Sequence, residues 1–209
     1  MKLILCLTLI WGIFSTAGAL QCQNCNDSDC TSDKDPTDCS SETMCVAHSF
    51  KFTSGSELGQ LEKKCDSSLC AATGRQAYSV SWPEYRRAGS IDCCNEDNCN
   101  KDVNQTIPAA KPNSLSCYSC LTDGLSCYTT SQCQGNENRC FKGHMMAGKT
   151  TTRLWGCMSA NLCPPALGQV LFPDVLNITC CGTKLCNSAI TTTPTTVCLL
   201  LGPLVLLFY

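Results

Sequence analysis

The sequence predicts an all-β, disulfide-rich protein of two tandem modules, each a set of short antiparallel hairpins on a disulfide hub. Three observations lead there. Of 209 residues, 22 are cysteine, a density that marks a disulfide scaffold in place of an ordinary apolar core. The stretch CCNEDNCN at 93–100 returns as CCGTKLCN at 180–187, and LQCQNC at 20–25 returns as LSCYSC at 115–120. No stretch shows sustained helical periodicity with turn signals at both ends, whereas the runs between cysteines read as short strands.

The two ends are processing signals by their composition. MKLILCLTLIWGIFSTAGAL has a basic start at Lys2, an apolar run from Leu3 to Phe14, and small residues at Ala17 and Ala19. That order predicts a secretory signal peptide over 1–19, cleaved after Ala19, because the run is shorter than the ~20 residues a membrane span needs. At the other end, small residues at Asn187, Ser188 and Ala189 precede the polar spacer ITTTPTT and the apolar run VCLLLGPLVLLFY. Small site, polar spacer and apolar tail predict a glycosylphosphatidylinositol anchor, with 188–209 removed as a propeptide. Asn187 fits best as the attachment residue and Ser188 second, since Ile190 is too large for the second position after Ser188. Cys6 and Cys198 leave with the two ends, and ten cysteines remain in each half. Even tallies in an oxidising compartment are what complete pairing requires.

Between the ends, the repeat sets a first module at 20–100, a linker KDVNQTIPAAKPNS at 101–114 and a second module at 115–187. Modules of this size have marginal cores and are usually stapled. CVAHSFKFT and GQLEKKC read as one hairpin around the turn SGSE, AYSVSW and RRAGSIDC as another with PEY near its tip. CFKGHMMA and TTTRLWGC form the corresponding hairpin of module two, turning near Gly148 and Lys149.

With Leu-x-Cys-x-x-Cys opening and Cys-Cys-x-x-x-x-Cys-Asn closing each module, the chain resembles the lymphocyte-antigen-six and urokinase-receptor family of three-finger domains. The resemblance covers nearly all of the chain between the processing signals and implies two tandem three-finger domains. It also implies the pairing, which spacing alone leaves open. In module one it joins Cys22 to Cys45, Cys25 to Cys30, Cys39 to Cys65, Cys70 to Cys93 and Cys94 to Cys99. In module two it joins Cys117 to Cys140, Cys120 to Cys127, Cys133 to Cys157, Cys163 to Cys180 and Cys181 to Cys186. Asn100 and Asn187 resemble the family residue whose amide bonds backbone near the start of its domain. The function implied is that of a cell-surface glycoprotein, held on the outer leaflet by its glycolipid anchor, that acts as a receptor, adhesion molecule or modulator by binding an extracellular protein through its finger loops. The chain departs from the urokinase receptor in having two modules, and Cys70 and Cys93 supply a bridge that receptor's first module lacks. An alternative is a soluble, secreted inhibitor resembling the two-domain phospholipase inhibitors of snake serum.

The chemistry points away from catalysis and cofactors. His48 and His144 lie in separate modules, without a nucleophile elbow or a phosphate loop, and read as strand histidines. CQNC and CYSC lack the strand-to-helix setting of a redox pair and the reduced thiolates zinc requires. The run DSDCTSDKDPTD lacks the glycine and the distant glutamate of a calcium loop. Residues 20–100 hold thirteen acidic and seven basic residues, net −6, while 101–187 hold four and seven, net +3. That division excludes a uniformly basic nucleic-acid surface. Sequons at Asn26, Asn104 and Asn177 predict N-glycans, with Asn26 hindered by its small disulfide loop. For partner contact the sequence offers Trp82, Tyr85, Arg86 and Arg87 at a finger tip, with packing of Trp82 on its own module as the alternative. Met145 and Met146 are further candidates as an adaptable surface.

Overall fold

The computed structural model describes residues 18–26, 30, 35–53, 57–103, 107, 110–163 and 165–188. Residues 1–17 of the expected signal peptide, 54–56 of the expected turn, the sequon Asn104 and the residues from 189 on lie outside them. The chain divides into two compact units, one comprising Met1–Tyr78 and Arg87–Pro108, the other Ser79–Arg86 and Ala109–Tyr209.

In the first unit, β1 (Gln21–Cys22) pairs with β3 (Thr37–Asp38), and β4 (Cys45–Thr53) with β5 (Glu57–Cys65), in continuous antiparallel register from Cys45 opposite Cys65 to Thr53 opposite Glu57. The short β2 (Cys25–Asn26) adds to the outer edge of β5. β6 (Gly74–Trp82) and β7 (Tyr85–Cys94) form the next hairpin, turned at Pro83 and Glu84, and β7 lies beside β4. That approach needs Gly89, because a Cβ there would lie 2.5 Å from the Ser49 carbonyl oxygen and 2.8 Å from the Tyr78 hydroxyl. Val46, Ala47, Leu69, Tyr78 and Ile91 are buried around it. Apolar residues fall at alternate positions in Phe50 and Phe52 of β4 and in Tyr78, Val80 and Trp82 of β6, because successive side chains face opposite sides of the sheet.

In the second unit, β8 (Pro112–Tyr118) pairs with β10 (Thr130–Gln134). β8 thus begins three residues before Leu115, within the segment read from sequence as linker. β11 (Arg139–Ala147) and β12 (Thr150–Met158) form a hairpin in unbroken register, turned at Gly148 and Lys149 with Gly148 at φ +64°. β13 (Val175–Cys181) takes the free edge of β11. The free edge of β12 is shared. β9 (Cys120–Thr122) pairs with 153–155, and the outer end of β6 pairs Ser81 with Cys157 and Val80 with Met158. A helix that the sequence pattern does not announce, α1 (Pro165–Leu171), follows a 3-10 turn at Ala160–Leu162. At seven residues it spans about two turns, too short for a 3.6-residue period to register. Leu162, Leu171, Phe172 and Val175 are buried there.

Ten disulfides staple the two units. In the first, Cys22 joins Cys45, Cys25 joins Cys30, Cys39 joins Cys65, Cys70 joins Cys93 and Cys94 joins Cys99. In the second, Cys117 joins Cys140, Cys120 joins Cys127, Cys133 joins Cys157, Cys163 joins Cys180 and Cys181 joins Cys186. Adjacent cysteines diverge because neighbours on a strand point to opposite faces. Cys93, buried, reaches across to Cys70, and the more open Cys94 closes a small loop on Cys99.

Each hub is closed by one asparagine. The Asn100 amide oxygen accepts from the Gln23 N–H at 2.9 Å, and its nitrogen donates to the carbonyls of Gln23 at 3.1 Å and Val46 at 3.0 Å. Asn187 repeats the arrangement, accepting from the Tyr118 N–H at 3.0 Å and donating to Tyr118 at 2.9 Å and Phe141 at 2.8 Å. Both are buried, so each supplies three hydrogen bonds where water cannot. Replacing Asn187 with Asp keeps the acceptor but turns a carboxylate toward two carbonyls. We expect Asn187→Asp to lose roughly 3 kcal/mol in guanidinium unfolding without reductant. An unchanged midpoint would show that the amide does not hold the hub.

Candidate functional site

His48 is a core residue of the first unit. Its Nε2 lies 2.7 Å from the Tyr78 hydroxyl and its ring 4.7 Å from Phe50, over which the Arg87 guanidinium sits at 4.1 Å. Burial above all, with the charges of Arg87 and Lys64, pushes its pKa down to about 3. The ring is therefore neutral in the fold, and only the unfolded chain takes up a proton near pH 6.5. Stability is intact above that pH and falls between there and about pH 3, by about 1.4 kcal/mol per pH unit. Lowering the pH from about 7.5 to about 5 should cost the native protein about 2 kcal/mol more than it costs His48→Gln. Equal pH slopes for the two proteins in chemical unfolding would contradict this.

The finger tip offered for partner contact is partly withdrawn from solvent. Trp82, Tyr85, Arg86 and Arg87 are all half-buried. Trp82 stacks on Tyr85 at 4.1 Å and meets Phe141 and Phe172 edge-on at 6.5 and 6.3 Å. Arg86 donates to the Gln134 side-chain oxygen at 2.6 Å and its Nε lies 3.5 Å from a carboxylate oxygen of Glu137. Glu137 is fully buried. Its other oxygen accepts from the Gln134 N–H at 2.8 Å and the Ser81 hydroxyl at 3.0 Å. Burial raises its pKa, and the Gln134 N–H, Arg86 and Ser81 oppose the rise. Gly156 lets β6 and β12 approach, since a Cβ there would collide with the Ser81 carbonyl. Ser159 adds a hydroxyl that accepts from the Ser79 N–H at 2.9 Å. Aromatic and guanidinium groups that suit a protein interface suit this internal packing equally, so composition alone does not separate the two. Nothing in the sequence marked Glu137, one of four acids among the seven basic residues of 101–187.

What the second unit leaves open is one face of its sheet. Directly opposed residues of antiparallel strands share a face. The register sets Lys142 against Trp155 and His144 against Arg153, with Thr179 of β13 opposite Lys142. These side chains, with Gly143, Asn177 and Leu125, line a groove of about 380 Å³. No carboxylate is among its lining residues. Trp155 is buried, and neither its indole Nε1 nor the Nδ1 of His144 has a hydrogen-bond partner. Leu125 is 70% exposed, and Tyr128 of the same loop is 86% exposed. Met146 is 42% exposed farther along β11, while Met145 is half-buried. Weighing His144 alone, as the sequence invites, passes over this groove. The period-two alternation of KGHM and RLWG carries the signal, because it puts Lys142 with His144 and Arg153 with Trp155.

The other sequence-named residues fall as follows. Asn26 ends β2 exposed, Asn177 is exposed at φ +53° and lines the groove, and Asn104 lies outside the described residues. Asn187 is buried and Ser188 half-buried. Two sulfur clusters have the closeness of metal ligands, Cys22 with Cys39 and Cys65, and Cys117 with Cys133 and Cys157. All six sulfurs are in disulfides, so none is the thiolate that a soft metal takes.

Comparison with known proteins agrees with this architecture. Residues 18–102 match the u-PAR/Ly-6 domain, and residues 115–187 match the snake toxin and toxin-like protein family. A phospholipase A2 inhibitor of Lachesis muta muta, LNF1, is 25% identical over 175 residues, covering 78% of this chain and 85% of the relative. A second inhibitor of the same snake, LNF2, and the inhibitor CNF of Crotalus durissus terrificus are each 26% identical with the same coverage. The chain is thus a tandem of two three-finger domains, a u-PAR/Ly-6 domain followed by a toxin-like domain, each on its own five-disulfide hub.

Proposed function

We propose that the protein is a non-enzymatic, extracellular binding protein that engages a phospholipase A2 and acts as its inhibitor. The observation that carries this reading is the similarity to named phospholipase A2 inhibitors along 175 residues, which takes in both domains. The groove lined by Lys142, Arg153 and Trp155 supports a binding role, with an apolar wall and positive charge in one concave surface. Titrating the purified chain into calcium-dependent secreted phospholipases A2 should slow hydrolysis of phospholipid vesicles. It should also give a complex with a dissociation constant of about 1 μM or below. Unchanged hydrolysis together with no detectable complex would overturn the reading.

A second reading, tethering at the cell surface, is favoured by one specific observation: the order of small residues, polar spacer and apolar run after Cys186. The two readings are compatible, since a tethered inhibitor still binds. Phosphatidylinositol-specific phospholipase C added to expressing cells should move the protein to the medium. Protein already in the medium without treatment would leave the free inhibitor alone standing.

A further inference from the structure

We propose that the groove on the sheet of the second unit is a receptor site for acidic side chains on an extended segment of a partner protein. The inference rests on the protein-binding reading above and names the chemistry that this surface recognises.

Register puts Lys142 and Arg153 on one face, diagonal to each other across β11 and β12, with His144 beside Arg153. Among the described residues no carboxylate lines the groove, so the charge of this lining is of one sign. Like-signed groups brought together at a concave surface favour the arrival of a counter-charge, and the concavity focuses their field outward.

Trp155 is 3% exposed, and its indole N–H is buried without a partner. An indole nitrogen can only donate. An acceptor brought by a ligand would therefore satisfy a donor that the fold leaves unsatisfied. A carboxylate offers about four lone-pair positions and a full negative charge. It answers the indole donor and the charge of the two cations.

Leu125 lines the groove and is 70% exposed. A peptide that alternates acidic and apolar side chains fills both surfaces, whereas a sulfated sugar leaves Leu125 against water. A groove of about 380 Å³ lies at the lower end of ligand-pocket sizes and suits one or two side chains.

The test uses the full chain, treated with an endoglycosidase because the sequon residue Asn177 lines the groove. Its probes are a fluorescent peptide LEELEEL, its neutral counterpart LQQLQQL and a heparin-derived fragment, followed by anisotropy. We expect the acidic peptide to bind at least about tenfold more tightly than the neutral one, and to weaken when salt is raised from about 50 to about 500 mM. Arg153→Glu should weaken it by about tenfold or more without moving the unfolding midpoint, since Arg153 is half-exposed. Trp155→Phe, which keeps an aromatic side chain but removes the N–H along with the indole's second ring, should weaken it severalfold. Equal binding of the two peptides, or indifference to Arg153→Glu, overturns the proposal. Binding of the heparin fragment alone overturns it in favour of a sulfated glycan. If the acidic peptide binds through Arg153 and no phospholipase A2 does, the site stands and the target assignment falls. If a phospholipase A2 binds and Arg153→Glu leaves that complex intact, the reverse holds.

Discussion

The structure depends on two disulfides packed sulfur against sulfur at the base of each domain, and on the asparagine that seals them. Cys22 and Cys39 bring their sulfurs to 3.2 Å, as do Cys117 and Cys133. Each sulfur belongs to a different bridge, so four strands are tied at one point. Cys22–Cys45 and Cys117–Cys140 each span 23 residues, the same loop in both domains. In chain-entropy terms a closed loop of that length is worth roughly 3 kcal/mol, though the bridges do not add independently. Amides and carbonyls that converge on such a point cannot reach water. Asn100 and Asn187 satisfy them, one in each domain.

Once the base is tied, the strands beyond it are released from core-building. The hairpin β11–β12 runs nine paired residues from the hub to its turn, and only its hub end is buried on both faces. Farther out, one face carries Lys142, His144, Arg153 and Trp155 around a groove. A chain that held itself together by apolar burial could not leave a tryptophan N–H unpaired beside two cations, since that cost would consume much of a small domain's stability. Disulfides relax that limit. The same relaxation explains the outer end of β6 and β7, where a buried carboxylate, Glu137, is tolerated within a lattice of Arg86, Ser81 and the Gln134 N–H.

Much of this was legible in the sequence, and the remainder was not for identifiable reasons. Cysteine density and the repeated Cys-Cys-x-x-x-x-Cys-Asn carried the all-β, two-domain architecture, because covalent constraints leave a fixed spacing in the chain. The turn at Gly148 and Lys149 was readable from glycine chemistry. The helix after Cys163 was not, being too short to show a period. The residues at 82–87 were read as a contact surface because interface and interior select the same aromatic and guanidinium groups, and only the third dimension separates them. Glu137 left no trace, since its burial depends on Arg86 and Ser81, about fifty residues away in sequence. The groove was half visible. Its two cations and tryptophan sit at alternating positions on two recognised strands, yet joining them requires the cross-strand register.

Everything above depends on adjacent cysteines parting company at the end of each domain. The most direct measurement is disulfide mapping of the unreduced protein, with electron-transfer fragmentation to cut the backbone between Cys93 and Cys94 and between Cys180 and Cys181. The account requires Cys93 on Cys70, Cys94 on Cys99, Cys180 on Cys163 and Cys181 on Cys186, with no free thiol among these eight. A bond from Cys93 to Cys99, or a free thiol at any of them, would contradict the hub on which both the fold and the open face are built.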